Sequence, residues 1–500
     1  MTQFPQATTP NPMDWPRLRQ HPVLETVVQQ AQALGARIYL VGGAVRDVLR
    51  TGQLPKDWDF VVLDPPAERL AKTLADCLHG HYVLLDAEHG IHRVVLDSGA
   101  ALGAEGLTLD ISDALGGDLT LDLHRRDLTL NAMALDLPTG EIRDPLGGQL
   151  DLAQGCIRMV SQANLLADPL RLLRVFRFAA QLASHPAAAI QVEPQTLDVV
   201  QAHAPRLLQS APERIHYEFF RLLSQPHCFE SLRQMGNAGL LEAILPEMTP
   251  MREIPPNRYH HLWLWDHTLE LVRQAEHLWP QVPQESQRCL QADFNPAINH
   301  LGLVKLAALL HDIGKPDTMN DQHPEPGKVT FYGHEARSAE MCKPIFKRLR
   351  VGNDLAQWVT HLVRWHLYPC QFGPDSSPRS LLRFFRRMGP HAVDVIFLAM
   401  ADRMSAMGPA LTQTDLDRSL ANHHWLLKQA PGMEARLKQP RLINGNEVMA
   451  LLNCGPGPHL RTILDAVEEA RHLGELSTEA EAKAWITAHR NRWGVPLKNG

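Results

Sequence analysis

A mixed α+β unit leading into an all-helical remainder is the fold this sequence predicts. Three observations carry the prediction. The chain has 500 residues, too many for one hydrophobic core, so roughly three or four domains are expected. Between residue 22 and about residue 111, short apolar strands alternate with helical stretches. Beyond Asp144-Pro145-Leu146-Gly147-Gly148 the periodicity becomes almost wholly helical.

Residues 1–21 are polar and proline-rich and are expected to be flexible. A helix over roughly 22–35 precedes the strand Ile38-Tyr39-Leu40-Val41, two glycines, a second helix and the strand Phe60-Val61-Val62-Leu63. A helix near 66–79 and strands near 82–86, 91–96 and 107–111 complete an α+β head over 22–150, with 99–106 read as a flexible hairpin tip. A helical segment is expected over 151–250 and, past a boundary at Pro255-Pro256, a second helical domain over 255–410. The stretch 408–440 has a mixed signal, and a last helical unit occupies about 446–490 of a tail running 411–500.

Composition narrows the function classes. Hydrophobic residues make up 44% and charged residues 21%, ordinary for a globular protein. No stretch approaches the roughly 20 uninterrupted apolar residues of a membrane helix, and no basic run leads an apolar block at the N-terminus. A cytoplasmic location without membrane association is therefore expected. Seven cysteines without a CxxC pair exclude a zinc ribbon and a disulfide framework. The net charge of −6 means that nucleic-acid binding must come from local basic patches. The basic runs Lys347-Arg348-Leu349-Arg350 and Arg383-Phe384-Phe385-Arg386-Arg387 are candidates for phosphate contacts or simply solvated helix faces.

The first chemical constellation is Val41-Gly42-Gly43-Ala44-Val45-Arg46-Asp47 followed by Lys56-Asp57-Trp58-Asp59-Phe60. Gly42 and Gly43 lie where a strand ends and a helix begins, so the backbone can approach a phosphate there. Arg46, in the first helical turn, is expected to grip a triphosphate bidentately. Asp57 and Asp59 flank Trp58 at a strand start, so both carboxylates share one face. Such a pair suits Mg²⁺, which takes oxygen ligands and shares its shell with substrate phosphates.

This GGAVRD…DWD pattern resembles the catalytic signature of the polymerase-beta-like nucleotidyltransferases, in particular the class II tRNA nucleotidyltransferase and bacterial poly(A) polymerase family. Further resemblances follow in order: Arg125-Arg126-Asp127-Leu128-Thr129-Leu130-Asn131-Ala132, then Asp144-Pro145-Leu146-Gly147-Gly148, then Asp168-Pro169-Leu170-Arg171-Leu172-Leu173-Arg174-Val175-Phe176-Arg177-Phe178. The resemblance implies a polymerase-beta-like head, a helical nucleotide-selecting neck and a helical tail that binds tRNA. It implies that Arg126 contacts the incoming nucleotide. It also implies that Asp168 and Arg171 hydrogen-bond the base edge, choosing C or A without a nucleic-acid template. Asp168 accepts and Arg171 donates, matching the exocyclic amine and ring acceptor shared by C and A. Arg174 and Arg177 are expected to reach phosphate or tRNA. Asp168 before Pro169 is also a good helix cap. Asp110 is a candidate third metal carboxylate. Members that add CCA usually carry Glu before the Asp, whereas this chain has Ala167.

The second constellation is His267, then His311-Asp312 after the apolar run Leu306–Leu310, then His334, His366 and Asp402. Charged groups at the end of such a run need a partner, and a metal provides one. The set resembles the HD phosphohydrolase superfamily, which implies His267, His311, Asp312 and Asp402 as ligands, with His334 and His366 matching the extra histidines of two-metal members. The implied ion is Mg²⁺, Mn²⁺, Ni²⁺, Co²⁺ or Fe²⁺.

Together these motifs imply a nucleotidyltransferase that adds C, A or both from CTP and ATP to the tRNA 3′ end, with a phosphohydrolase attached. An A-adding or CC-adding specialist and a poly(A) polymerase share the head motifs. A phosphohydrolase with an inactive head is disfavoured by the intact Asp57, Asp59 and Arg46.

Overall fold

The computed structural model describes residues 14–64, 66–87, 90–96, 106–183, 190–322 and 329–493. They form two compact units that divide between Ile244 and Leu245. The first begins with α1 (Trp15–Arg19), α2 (Pro22–Ala33), β1 (Arg37–Val41), α3 (Gly43–Thr51), β2 (Asp57–Leu63), α4 (Ala67–Leu78), β3 (His81–Asp86), β4 (Ile91–Val95) and β5 (Thr108–Asp113). It continues through α5 (Leu119–His124), β6 (Ala134–Asp136), β7 (Ile142–Arg143), α6 (Gly148–Gln154), β8 (Cys156–Ile157), α7 (Gln162–Ala167) and α8 (Leu170–Leu182). It ends with β9 (Gln191–Val192), α9 (Pro194–His203), α10 (Pro212–Leu223), α11 (Phe229–Asn237) and α12 (Leu240–Ile244).

Strands β1–β7 make one sheet in the order β3-β4-β5-β2-β1-β6-β7, antiparallel except for the parallel β2–β5 pair. Alternation along β2 sorts its side chains. Trp58, Phe60 and Val62 enter the core shared with Val23, Leu24, Val27, Leu70 and Leu74 of α2 and α4. Val61 and Leu63 join Tyr39, Val41, Leu123 and Ala134 on the opposite face. Asp57 and Asp59 have the parity of Val61, so they project from that second face at the strand start. Burying Trp58 and Phe60 fixes this register, because a slip of one residue would drive the carboxylates into the core.

Asp144-Pro145-Leu146-Gly147-Gly148 is a helix start. The Asp144 carboxylate accepts from the N–H groups of Gly148 (2.7 Å) and Gln149 (2.9 Å). A Cβ on Gly148 would lie 2.3 Å from the Thr129 carbonyl, so only glycine lets α6 pack this closely.

In the second unit, α13 (Leu264–Leu278), α14 (Gln284–Gln291), the β10 (Asp293–Asn295) and β11 (Ile298–Asn299) hairpin and α15 (His300–Leu310) come first. They are followed by α16 (Lys315–Thr318), α17 (His334–Arg348), α18 (Asn353–Trp365), α19 (Pro378–Met388), α20 (Ala392–Ser405), α21 (Gln413–Leu437), α22 (Gly445–Leu452), α23 (Pro458–His472) and α24 (Glu479–Ala488). Helix α15 is buried along Leu301–Leu310, which makes it the centre around which α13, α18 and α20 pack. Helices α22–α24 enclose a separate small core around Val448, Ile463, Val467 and Ile486. Among the described residues, no helix is long and apolar enough to cross a membrane.

Several expectations need correction. The flexible stretch does not extend through residue 21: α1 is helical, and Trp15, 8% exposed, packs in the head core. The hairpin tip at 99–105 lies outside the described residues. Residues 413–437, read as mixed, form one helix containing Pro431, started by a reciprocal cap between Thr412 and Asp415. Pro431-Gly432 hid it in the sequence, and burial of Leu416, Leu426, Leu427 and Ala430 carries it through. The helical remainder also holds two short ladders, β8–β9 and β10–β11. The turn at Pro246–Glu253 buries Met248 and Met251 and packs against α13, so it belongs to the second compact unit, whose first residue is Leu245.

Candidate functional site

The first site is a cavity of about 560 Å³ in the first unit. Gly42, Gly43, Asp57, Asp59, Arg126, Asp168, Arg171, Arg174 and Arg177 all line it. Gly42 ends β1 with φ 70° and ψ −137°, a conformation that disfavours side chains. A Cβ there would lie 2.9 Å from Arg126 Nη1 and 3.4 Å from Asp59 Oδ2. The turn, the catalytic carboxylate candidate and the nucleotide-contact candidate therefore meet at one point.

Thr108 donates to Asp57 Oδ1 (2.7 Å). Asp59 opens to the cavity, yet crowding by its walls raises its pKa above the ordinary value; Arg126 opposes the rise, and the Asp110 and Asp57 carboxylates add to it. Two oxygen ligands that repel each other, on one face beside a cavity rich in arginine, fit a hard divalent cation. Asp110 does not fit the role of third ligand. It neighbours Asp59 in the β2–β5 register, but Arg93 takes both its oxygens at 2.7 Å. Among the described residues, clusters of three or more possible metal ligands occur only in the second unit.

Arg46 departs from expectation. It lines the cavity but is only 2% exposed. Nη1 donates to Asn131 Oδ1 (2.8 Å), Nε donates to Asp47 (2.9 Å), and the guanidinium lies 4.8 Å from the Phe178 ring centre. With its donors so engaged, Arg46 braces the cavity wall rather than offering a free fork to a triphosphate. Arg126 is more open: Nη2 bonds Asp122 (3.1 Å), and Nη1 reaches the Asn131 carbonyl (3.4 Å) over the Gly42 turn. Arg125 donates to the same buried Asp122.

The row along α8 shares one cavity through different partners. Asp168 accepts from the Leu170 N–H (3.2 Å), so it does cap the helix start. Its other oxygen accepts from Arg214 (2.7 Å) on α10. Arg171 donates to the carbonyls of Arg125 (3.1 Å) and Asn164 (3.0 Å). Arg174 donates to Asp127 (2.8 Å), Arg177 pairs with Glu218, and both stack on Phe178. Burial pulls Arg177 down to about 10, against the charge of Glu218.

Asp127 is the hub beneath these cations. It accepts from the Leu128 N–H (2.9 Å), Asn131 (3.1 Å) and Arg174 (2.8 Å). Burial opposes its ionisation, yet Arg174 and Asn131 hold the carboxyl at about 2. Sequence reasoning did not single out Asp122, Asp127, Asn131, Phe178, Arg214 or Glu218. Asp127 and Asn131 stood inside the RRDLTLNA run, whereas Arg214 and Glu218 come from α10, for which no local pattern announced a partner.

The second site lies wholly in the second unit. His267 of α13, His311-Asp312 after α15, His334 at the start of α17, His366 just past α18 and Asp402 of α20 converge. Three overlapping ligand groups result: His267, His311 and Asp312; His311, His366 and Asp402; Asp312, His334 and His366, each with its atoms within 4.8 Å. Nδ1 of His311, His334 and His366 bonds the carbonyls of Ala308 (2.8 Å), Phe331 (2.7 Å) and Val363 (2.8 Å), and Nδ1 of His267 meets Ser405 Oγ (3.1 Å). A carbonyl can only accept, so those three Nδ1 atoms carry the proton and leave each Nε2 lone pair facing inward. Nε2 of His267, His311 and His334, both Asp312 oxygens and Asp402 Oδ1 are buried without a hydrogen bond. Carboxylates and imidazole nitrogens so placed, with Lys315 against Asp312 Oδ2 (2.5 Å), fit a divalent cation. Burial pushes His366 down to about 4, keeping it neutral as a ligand must be.

A cavity of about 680 Å³ opens onto these ligands, and sequence reasoning missed two of its groups, His260 and Lys315. His260 stacks edge-on against His267 (4.4 Å), and burial lowers it to about 3. Lys315 lies against Asp312 (2.5 Å). The run Arg383–Arg387 is largely spent within the fold: Arg386 pairs with Asp465 (3.8 Å), and Arg387 lies over Trp365 (4.9 Å).

Comparison with known proteins matches three family models in succession along the chain. The model described as Poly A polymerase head domain matches residues 38–158. The model described as Probable RNA and SrmB- binding site of polymerase A matches 190–252, and that of the HD domain matches 264–407. The chain is 34% identical to an A-adding tRNA nucleotidyltransferase of Deinococcus radiodurans, over 91% of this chain and 95% of that one. It is 33% identical to a CC-adding tRNA nucleotidyltransferase of Thermus thermophilus, over 89% and 92%. A solved CCA-adding enzyme in complex with ATP shares the fold at a TM-score of 0.61 and 18% identity, over 95% and 96% of the two chains. One-third identity sustained across nearly the whole of both chains, with the three models matched in succession, makes this chain a member of the class II tRNA nucleotidyltransferase and poly(A) polymerase family.

Proposed function

We propose that this chain extends the 3′ end of tRNA with C, A or both, taking CTP and ATP and using no nucleic-acid template, and that a second centre hydrolyses phosphoesters. The observation that carries the first reading is that Asp57, Asp59, the Gly42 turn and the Asp168–Arg171 pair line one cavity. Asp57 and Asp59 would hold Mg²⁺, which when bound favours ionisation of the 3′-hydroxyl and offsets charge on departing pyrophosphate. Arg126 donates to the incoming phosphates, and the N–H groups at the start of α3 add a partial positive charge. Asp168 accepts from the exocyclic amine of C or A while Arg171 donates to the neighbouring ring nitrogen. Arg174 and Arg177 tie that reading helix to Asp127 and Glu218. In this reading the head (22–150) and neck (151–250) carry nucleotide addition, and the tail (411–500) grips tRNA.

A specialist that adds only A or only CC is the second reading. It is favoured by Ala167, which leaves the position before Asp168 without a carboxylate, and by relatives named A-adding and CC-adding. In the second centre, His267, His311, Asp312 and Asp402 would hold one cation, Mg²⁺ or a divalent transition metal, with His334 and His366 available for another. A bound ion supplies a nucleophilic hydroxide at neutral pH, and a cyclic phosphate on a damaged tRNA end suits such a centre. Seven unpaired cysteines accord with a reducing cytoplasm.

The test is incubation with Mg²⁺, each nucleoside triphosphate and tRNA ending before, within or just short of the terminal A of CCA, followed by sequencing of the product ends. Addition of CCA, CC or A alone separates the full enzyme from the specialists, and long A tracts on generic RNA identify a poly(A) polymerase. No addition, or addition that survives Asp57→Ala and Asp59→Ala, removes the head reading.

A further inference from the structure

Helix α17 begins at the metal-ligand candidate His334, and α18 ends one residue before the candidate His366. The two helices pack against each other, so the trough between them starts at the second centre and runs away from it. At 1.5 Å per residue it extends about 20 Å, room for several nucleotides of a single strand. Arg364 and Trp365 line both this trough, about 990 Å³, and the cavity over the metal ligands. Ala336, Ala339 and Ala356 keep its walls low. Lys343, Lys347, Arg350 and Arg364 line it; Arg337 answers Glu340 at 3.4 Å and Glu335 holds Arg364 at 3.0 Å, so the exposed lysines of α17 supply its cationic strip. Where trough and cavity join, Tyr332, 82% exposed, stands at the cavity mouth, while Trp365 is packed between Tyr368 (5.4 Å between centres) and Arg387 (4.9 Å) and closes the end of the trough.

We propose that this trough is the strand-binding arm of the hydrolytic centre, holding the phosphates of a single-stranded RNA whose terminal phosphoester reaches the histidine–aspartate cluster. The inference rests on the hydrolase reading above and adds to it the surface that would hold the strand behind the terminal phosphoester, which a free mononucleotide does not need. A cationic track with an aromatic platform at one end is the arrangement that binds a strand without reading its sequence. Tyr332 stacks on the terminal base, while Lys343 and Lys347 meet phosphates further back.

The experiment compares an oligoribonucleotide ending in a 2′,3′-cyclic phosphate with 2′,3′-cyclic AMP, using the full chain supplied with Mn²⁺ or Ni²⁺. The double variant Lys343→Glu, Lys347→Glu is expected to lose at least about tenfold in kcat/KM on the oligonucleotide and to flatten its salt dependence, because two phosphate contacts become repulsive. Hydrolysis of cyclic AMP stays within about twofold of wild type, which also shows that the variant is folded. Tyr332→Ala lowers hydrolysis of both nucleotides and leaves p-nitrophenyl phosphate unaffected. Equal losses on both nucleotides in the lysine variant, or no loss on the oligonucleotide, overturn the proposal. If the wild type hydrolyses neither substrate, the hydrolase reading fails separately. The trough is then judged by fluorescence anisotropy with the same oligonucleotide ending in a 3′-phosphate: binding that weakens with charge reversal supports it, and binding that does not overturns it. Competition by polyglutamate as strong as by unlabelled oligonucleotide overturns RNA in favour of an acidic polypeptide.

Discussion

Replacing Asp127 by Asn tests whether one buried carboxylate organises the nucleotide cavity. The side chain holds the Leu128 N–H and Asn131 through one oxygen and Arg174 through the other. An amide of the same shape keeps the first set of bonds. It then turns an N–H₂ toward Arg174 Nε, donor against donor, and leaves that guanidinium only Glu218 at 3.6 Å. The fall of the carboxyl from its ordinary 3.8 to about 2 corresponds to about 2 kcal/mol of stabilisation at neutral pH. Stranding the cation adds to this, within the ~3–5 kcal/mol range for breaking a buried pair. A loss of about 3 kcal/mol or more is therefore expected. Because the folded pKa is depressed, the contribution is complete above about pH 4 and disappears as pH falls toward 2. The assay is urea-dependent hydrogen exchange of the full chain, read at residues 119–182, for wild type and variant between pH 7 and pH 2.5. The wild type should lose its advantage over Asp127→Asn across the acidic end of that range. A variant within about 0.5 kcal/mol of wild type at pH 7, or a difference that does not change with pH, refutes the hub assignment.

Gly42→Ala should cost about 1–3 kcal/mol from its backbone conformation alone, and its methyl group must also displace Arg126. Nucleotide addition is expected to fall at least about tenfold in kcat/KM with the circular dichroism spectrum retained; wild-type kinetics would mean the turn does not carry the phosphates. Arg214→Gln frees one oxygen of Asp168 from a half-exposed ion pair worth roughly 0.5–1 kcal/mol, so incorporation of U and G relative to C and A should rise about two- to fivefold. Unchanged discrimination would leave the orientation of Asp168 to the Leu170 amide. His311→Ala removes one of the inward-facing Nε2 atoms and should abolish both bound metal, measured by elemental analysis, and hydrolysis of 2′,3′-cyclic AMP, while nucleotide addition persists. Hydrolysis that survives this change places the centre elsewhere.

How far the sequence could be read depended on the range of the forces involved. The period-two burial of β2 and the turn at Gly42 are local, so the placement of Asp57 and Asp59 on one face was legible. In the second centre only His311-Asp312 was announced by its own apolar run; His267, His334, His366 and Asp402 were named from the resemblance to the HD superfamily, because a lone histidine or aspartate on a helix carries no local signal. The partners of the arginines were not legible. Arg46 carries the right chemistry for a triphosphate, but Asn131 and Phe178, far along the chain, claim it. Asp110 has the right chemistry for a metal, yet cross-strand Arg93 neutralises it. Pro431 concealed α21 because a proline's local cost is visible in sequence, whereas the tertiary burial that outweighs it is not.

The paired state of the cavity bears on how a protein of net charge −6 can take a triphosphate. Several cations line one small space, and unpartnered they would repel one another. Asp122, Asp127 and Glu218 remove much of that repulsion from beneath, and Phe178 lies against the guanidinium groups of Arg46, Arg174 and Arg177. The pair proposed to read the base is likewise engaged, Asp168 with Arg214 and Arg171 with two carbonyls. An incoming base must therefore exchange one set of hydrogen bonds for another, and only a base that returns both a donor and an acceptor leaves no polar group stranded. U and G would set acceptor against carboxylate and donor against guanidinium, at about 1–3 kcal/mol for each buried group left unsatisfied. Selection without a template then follows from the cost of an incomplete exchange rather than from a rigid mould, and it should weaken in proportion as either resting partner is removed.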